Sequence, residues 1–477
     1  MVMRRLAILL ATAGLAGCAA VGPNYKVPEK AVVNAPAAQG AFLSGGPETS
    51  GEALPDQWWK LFDDPRLDQL VSEALTSNTD LRVAEANLER SAALLAETRT
   101  GREVGGTADA ETSYVQQSAE AVMQHVQPPE RPIYNLGLSV SYDLDLFGGI
   151  RRGIEAASAD HEAIAAARDL ARVNVAAETA RAYADICNSG HQLDVLRQLI
   201  GVQEQSLALT RTLIAHGRSP QFEQDRQQAS IEANRAQIAP LTARQQNAAF
   251  RLTTLLGKPP AEYDRGLLAC HEPLKLRAPL PTGDGQALLK RRPDVRASER
   301  RLAASTARIG VATAALYPDI KLGASLGSTG AGADFLSPLT NRFGLGPMIS
   351  WNLHRSAVRD RIAAAEAQSR ANLASFDGTV LKALRETESA LNTYAAALDR
   401  LQRLETARQE AARVADKTHT LWRGGKIGGL VAFDAQRSEV AAAQAVAAAQ
   451  AEINSDQITL FLALGGGWQK PEAVSSR

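Results

Sequence analysis

Four glycines constrain this chain more than any other feature. The same offset of 208 residues separates Gly217 from Gly425 and Gly257 from Gly465. The first pair interrupts a helical pattern and the second pair ends one. That offset also matches Glu178-Thr179 with Glu386-Thr387, and one residue more matches Ser141-Tyr142-Asp143-Leu144 with Ser350-Trp351-Asn352-Leu353. Further upstream, Arg82-Val83-Ala84-Glu85 stands opposite Arg296-Ala297-Ser298-Glu299. Repeated units of this size stack to bury a shared face. The 477 residues are therefore expected to form one body with two similar halves, where length alone would suggest about three domains. The halves are placed at 56–257 and 285–465. A connector at 258–284 carries Pro259-Pro260, Pro273, Pro279 and Pro281, and a short tail follows at 466–477.

Each half contains one very long helical stretch. No proline occurs from Gly149 to His216, nor from Arg355 to Arg423. At 1.5 Å per residue such a stretch is on the order of 100 Å long if unbroken, which is coiled-coil length and not that of a globular-domain helix. Asn188-Ser189-Gly190 is the weak point of the first. Alanine is frequent and aromatic residues make up only 5%, so close helix–helix approach is expected. Shorter helices, about Gln221–Leu256 and Leu430–Leu464, return from Gly-containing turns.

Between the helices the period changes from 3.6 to 2. Leu136, Leu138, Val140, Tyr142 and Leu144 alternate with Asn135, Gly137, Ser139, Ser141, Asp143 and Asp145. Ile320, Leu322, Ala324 and Leu326 alternate with Lys321, Gly323, Ser325 and Gly327; Phe343, Leu345, Pro347, Ile349, Trp351 and Leu353 alternate with Arg342, Gly344, Gly346, Met348, Ser350 and Asn352. A fourth strand is placed at about Thr107–Val115, where the apolar face is mostly Ala and Thr. This dyad pattern fits transmembrane β-strands, with a soluble sandwich as the competing reading. Four strands cannot close a membrane barrel, because the smallest needs eight and unpaired edges are not tolerated in hydrocarbon. Two copies would pool about eight strands and three about twelve, the latter wide enough for water. A trimeric channel is the expectation.

At the N-terminus, Arg4 and Arg5 precede an apolar stretch from Leu6 to Leu15 that is too short to span a membrane. It runs into Leu15-Ala16-Gly17-Cys18, which looks like a lipoprotein cleavage box. A signal peptide at 1–17 and acylation of Cys18 are expected, an ordinary signal peptide being the alternative. Residues 18–55, rich in Pro, Gly and Ala, read as an extended tether. Cys187 and Cys270 sit in no motif, and are taken as separately buried thiols although a disulfide is open to them.

Arg291-Arg292-Pro293-Asp294-Val295-Arg296, followed by Glu299, Leu302, Ala303-Ala304, Ala307, Ile309-Gly310, Ala312, Ala314 and Tyr317-Pro318, resembles the signature of outer-membrane efflux proteins. So do Tyr142-Asp143-Leu144-Asp145-Leu146-Phe147-Gly148, the Gly425, Leu430, Phe433, Asp434-Ala435-Gln436-Arg437 set, and Val21-Gly22-Pro23-Asn24-Tyr25. The chain is thereby similar to the NodT branch of the TolC/OprM-type family. The resemblance implies a mixed α and transmembrane β fold: a homotrimer with a twelve-stranded outer-membrane barrel, four strands per chain, continued by a periplasmic helical coiled-coil barrel. It implies the exit duct of a tripartite efflux system, partnered by a periplasmic adaptor and an inner-membrane transporter of RND type. The lipid-facing residues expected are Leu136, Leu138, Val140, Tyr142, Ile320, Leu322, Leu326, Phe343, Leu345, Ile349 and Trp351. The periplasmic tips, which gate the channel and meet the adaptor, are expected at Gly217, Arg218, Phe222, Arg423, Gly425, Lys426, Leu430 and Asp434. A periplasmic coiled-coil adaptor or scaffold lipoprotein without a pore is the alternative.

Other chemistries find little support. The 52 basic and 52 acidic residues balance, so there is no cationic excess to neutralise nucleic-acid phosphates. Pro293 with Asp294 is ordinary helix-start chemistry. Gly465-Gly466-Gly467 ends a helix and lacks the Lys-Ser/Thr of a phosphate loop. The seven histidines form no ligand cluster, and no metal, cofactor or catalytic residue is expected.

Overall fold

A computed structural model describes residues 20–120, 123 and 125–467. The signal peptide, Cys18 and the tail beyond 467 lie outside the described residues. The chain divides into two compact units. One contains, of the described residues, 20–29, 87–165 and 297–376, and holds the sheet. The other contains 30–86, 166–296 and 377–467, and holds the helix-turn-helix tips.

Helix α1 (Pro65–Ser77) starts where Asp64 accepts hydrogen bonds from the Arg66 and Leu67 amides. Proline at the first helical position loses nothing, since its missing N–H would be unpaired there anyway. Asn78 separates α1 from α2 (Thr79–Thr100): its Oδ1 accepts from the Asp80 and Leu81 amides. Strands β1 (Gly105–Val115) and β2 (Arg131–Asp143) follow. Helix α3 then runs for 67 residues, Gly149–Ala215. It passes through Asn188-Ser189-Gly190 without a break. Gly190 serves close approach: a Cβ there would lie 2.2 Å from the Cys270 carbonyl oxygen.

The first return helix departs from expectation. It is split into α4 (Gln221–Ala236) and α5 (Ile238–Leu255). Pro240 has no N–H to offer the Ala236 carbonyl, and the i→i−4 ladder lapses there. Helix α6 (Gly285–Arg291), α7 (Pro293–Ala314), β3 (Asp319–Ala331), β4 (Asn341–Ser350) and the 69-residue α8 (Arg355–Arg423) complete the order, ending with α9 (Gly429–Ala463). With no proline, α9 runs its 35 residues unbroken.

The larger core gathers around Trp58, fully buried and stacked on Phe461 at 4.5 Å, with Trp59 and Phe62 edge-on to it. Residues 30–55 are not a free tether. The Val32 amide donates to Asp377, the Leu43 and Ser44 amides to the two oxygens of Glu388, and Thr49–Ser50 pairs in parallel with Leu280–Pro281. An extended segment satisfies few of its own amides, and carboxylates on α8 supply the acceptors.

Cys187 and Cys270 form a disulfide, against the reading of separate thiols. Sequence alone could not place them, because the approach depends on Gly190 having no side chain. Their Cα atoms are 4.6 Å apart, and 83 residues separate them along the chain. The segment after Cys270 is tied down as well: His271 bonds Asp194 and the Leu268 carbonyl, and Asn454 donates to the Leu274 carbonyl. Removing the cross-link by Cys187→Ser with Cys270→Ser should cost about 2–5 kcal/mol. Thermal melts with and without reductant check this: the wild type should lose stability on reduction and the double variant should not respond.

Candidate functional site

The four strands form one antiparallel meander in the order β1-β2-β3-β4. Register decides which residues share a face. Ala108 pairs with Leu138, Leu138 with Leu326, and Leu326 with Phe343; Val140, Ala324 and Leu345 make the next same-face row. Tyr142, Leu322 and Pro347 follow, then Ile320 with Ile349. Ten of the eleven residues read as lipid-facing therefore lie on one side of a continuous sheet. This side is open: Phe343 is 91% and Leu345 87% exposed. An uncovered apolar surface of this size on a soluble protein would be anomalous. Trp351 is the exception. It lies beyond the end of β4, where its Nε1 donates to the Leu316 carbonyl and the Arg355 guanidinium sits over its ring at 5.5 Å. The alternation continues past Ser350 in sequence, but pairing stops there. The opposite face carries Asp109, Asn135, Ser139, Ser325, Thr329 and Arg342, and β1 pairs along all 11 of its residues despite its alanines.

Where β2 gives way to α3, the run from Tyr142 to Gly148 acts as a helix starter. Asp145 adopts a left-handed backbone (φ 40°), and its carboxylate accepts from the Ile150 and Arg151 amides at 2.8 and 3.0 Å. Asp143 Oδ1 accepts from the Asp145 amide; after β4, Asn352 Oδ1 accepts from the His354 amide in the same way. Buried Arg152 fastens the N-terminal segment here, donating to the Val21 and Gly22 carbonyls, Asn24 Oδ1 and Glu155. Tyr25 donates to Glu299, and burial together with that carboxylate drives the phenol well above its ordinary value. The Val21–Tyr25 motif pointed to this segment; nothing in the sequence pointed to Arg152 as its anchor.

All four glycines of the 208-residue offset have positive φ, 66–74°, and each caps a helix. At the tips the Gly217 amide donates to Ile214 and the Arg218 amide to Leu213; the Gly425 amide donates to Trp422 and the Lys426 amide to Leu421. Gly257 and Gly465 repeat the geometry at the other helix ends. These are Schellman caps, in which a left-handed residue satisfies the last carbonyls. Phe222 is 61% and Leu430 45% exposed. Among the described residues Arg423, Lys426 and Asp434 form no ion pair. The tip contacts within the chain are made by residues not singled out. Glu223 is buried, accepts from Ser219 Oγ at 3.0 Å and lies where a Cβ on Gly429 would meet it at 2.6 Å. The Arg226 guanidinium stands 4.7 Å over the Phe433 ring. Only the Ser-Pro helix start at 219–220 hinted at Glu223, as a first-turn carboxylate. A cavity of about 450 Å³ between α3, α8 and α9 is lined by Asp416, His419, Arg423, Gln436 and Glu439. Burial raises the Glu439 carboxyl above its ordinary value; Arg408 opposes this and Asp416 adds to it.

An open apolar sheet face joined to helices of coiled-coil length defines a membrane-associated channel protein. The family model described as outer membrane efflux protein matches residues 70–258 and 285–466. The toluene efflux pump outer membrane protein TtgC of Pseudomonas putida is 30% identical over 475 residues, 95% of this chain and 93% of that protein. Nodulation protein T of Rhizobium leguminosarum bv. trifolii is 27% identical over 472 residues, 95% of each. The solved outer-membrane channel OprN aligns with a TM-score of 0.86 at 34% identity, over 94% of this chain and all of that one. This chain belongs to the outer membrane efflux protein family. It is an efflux channel component of the outer membrane and not an enzyme, and the poreless adaptor reading falls away.

Two outcomes follow from this geometry. Arg152→Ala leaves three backbone or side-chain oxygens of residues 21–24 without their donor, so amide exchange and protease cleavage at 20–29 should rise while the sheet stays intact. For Glu439 the folded carboxyl holds its proton more tightly than the unfolded one. Its stabilising contribution is present below the ordinary glutamate value and lost as pH rises through the raised one. Thermal stability should therefore fall as pH rises above the ordinary glutamate value, and Glu439→Gln should flatten that fall in melts taken across a pH series.

Proposed function

We propose that three copies of this chain build the outer-membrane duct of a tripartite efflux system, passing small molecules outward from an inner-membrane transporter of RND type through a periplasmic adaptor. The observation that carries this is the meander itself: four strands, one exposed apolar face, and edge strands β1 and β4 whose outer edges have no partner among the described residues. Unpaired edges cost several kcal/mol per group in hydrocarbon, and three copies supply twelve strands, enough for a water-filled bore. In this reading Leu136, Leu138, Val140, Tyr142, Ile320, Leu322, Leu326, Phe343, Leu345 and Ile349 face lipid, and the long helices continue the wall in the periplasm as a helical barrel.

The halves 56–257 and 285–465 are read as a duplication. The two family-model matches support it, as do the paired glycine caps and the matching turns at Asp143 and Asn352. The tips at Gly217, Arg218, Phe222 and at Arg423, Gly425, Lys426, Leu430, Asp434 are the proposed adaptor-docking and gating surface. Exposed Phe222 and Leu430 suit a partner's apolar side chains. Cys18 is the proposed acylation site, with 1–17 the cleaved signal peptide. The relatives' names speak of different substrates, toluene among them, and the transported compound is taken to be chosen by the inner-membrane partner.

Purified protein in planar bilayers should give discrete pores, and native mass measurement in lipid should give three subunits. Leu138→Lys should cost about 2–4 kcal/mol per site at mid-bilayer and lower the yield of assembled trimer, whereas Ser139→Lys, one residue on and on the opposite face, should leave assembly near wild type. Equal tolerance at both sites would overturn the lipid-facing assignment, and loss at Ser139 alone would reverse it.

A further inference from the structure

The polar face of the sheet carries a chain of hydrogen bonds to which every strand contributes one side chain. Asn135 of β2 donates through Nδ2 to Asp109 Oδ2 of β1 at 3.2 Å. Its Oδ1 accepts from Thr329 Oγ1 of β3 at 2.8 Å and from Arg342 Nη2 of β4 at 3.0 Å. Arg342 Nε also donates to Thr329 Oγ1 at 3.3 Å. The chain thus ends in a carboxylate on one edge strand and a guanidinium on the other. All of these contacts are solvent-exposed.

Two glycines let these charges lie down along the sheet. Gly137 is the cross-strand partner of Asp109, and a Cβ on it would meet the Asp109 carboxylate at 2.6 and 2.7 Å. Gly327 is the partner of Arg342; a Cβ on it would meet the Leu136 carbonyl oxygen at 2.4 Å and come within 3.2 Å of the guanidinium carbon. A side chain at either position would lift the charge away from the backbone. Around the same face the rows Gly105-Ser141-Gly323-Gly346 and Thr107-Ser139-Ser325-Gly344 carry no charge.

We infer that Asp109, Asn135, Thr329 and Arg342 form a belt of alternating charge that sets the ionic preference of the bore, and that Gly137 and Gly327 keep the belt flat enough for bulky solutes to pass. This rests on the trimeric reading, in which this face lines the lumen. Three copies then place carboxylate and guanidinium alternately around the circumference. The Asn135 amide bridges the two charges, and Glu111, the cross-strand partner of Asn135, adds a second carboxylate to the same face, so the belt leans acidic toward the passing solute. Such a belt suits neutral or weakly cationic small molecules, and it makes Asp109 and Arg342 opposite in effect.

Reversal potentials across a salt gradient in planar bilayers test this with the full-length protein. Arg342→Gln should shift permeation toward cations, Asp109→Asn toward anions, and Arg342→Lys should restore the wild-type value. Gly137→Ala, which removes no charge, should lower unitary conductance by raising the Asp109 carboxylate into the bore. Arg342→Cys gives a second readout: a cationic thiol reagent should move selectivity back toward the wild-type value, and an anionic one further from it. Wild-type pores whose selectivity and conductance are unmoved by all of these substitutions would overturn the belt while leaving the channel intact. Absence of pores from the wild-type protein would overturn the channel reading, and the belt with it.

Discussion

A β-sheet that enters hydrocarbon has to account for every peptide group it brings, because no water is present to satisfy those left over. In this chain β2 and β3 are paired on both sides, while β1 and β4 each keep one unpaired edge. Much of the remaining architecture answers to that deficit. The alternation of leucine, valine and isoleucine with glycine, serine and asparagine gives the sheet one apolar and one polar face. Any slip of one residue would exchange the two faces, and the unbroken register from Asp319 to Ser350 shows that no slip occurs.

Helices as long as α3 and α8 raise a different difficulty, that of beginning and stopping cleanly. Propensity alone would let them fray. The beginnings are built from carboxylate and amide side chains: Asp145 reaches the first amides of α3, Asp64 those of α1 and Asn78 those of α2. The stops are glycines in the left-handed region, where any other residue would be strained. Gly217, Gly257, Gly425 and Gly465 all cap helices in this way, in two pairs at the same 208-residue spacing.

What could be read from sequence was whatever depends on near neighbours. Strand alternation, proline-free helix length and glycine stops are local signals, and they located β2, β3, β4, α3, α8 and both tips to within a few residues. The failures share a cause. Trp351 continued a pattern whose pairing had already ended, since the end of pairing is set by the partner strand. The return helix expected as one piece over about Gln221–Leu256 is split at Gln237, because Pro240 leaves the carbonyl four residues earlier without its donor. Arg152, Glu223 and Arg226 act on segments far off in sequence or across a turn, and no spacing rule announces them. Residues 30–55 looked like a tether because their partners, Asp377 and Glu388, sit more than 340 positions away.

The Cys187–Cys270 bond closes a ring that contains the first tip, α4, α5 and the part of α3 from Cys187 onward. The second hairpin lies outside any such ring among the described residues. A cut in the first tip therefore yields two pieces that remain one covalent molecule until a thiol opens the ring, whereas a cut in the second releases its downstream piece from all but noncovalent ties. The two similar halves are in this respect unequal: one is topologically sealed, and the other is open-ended.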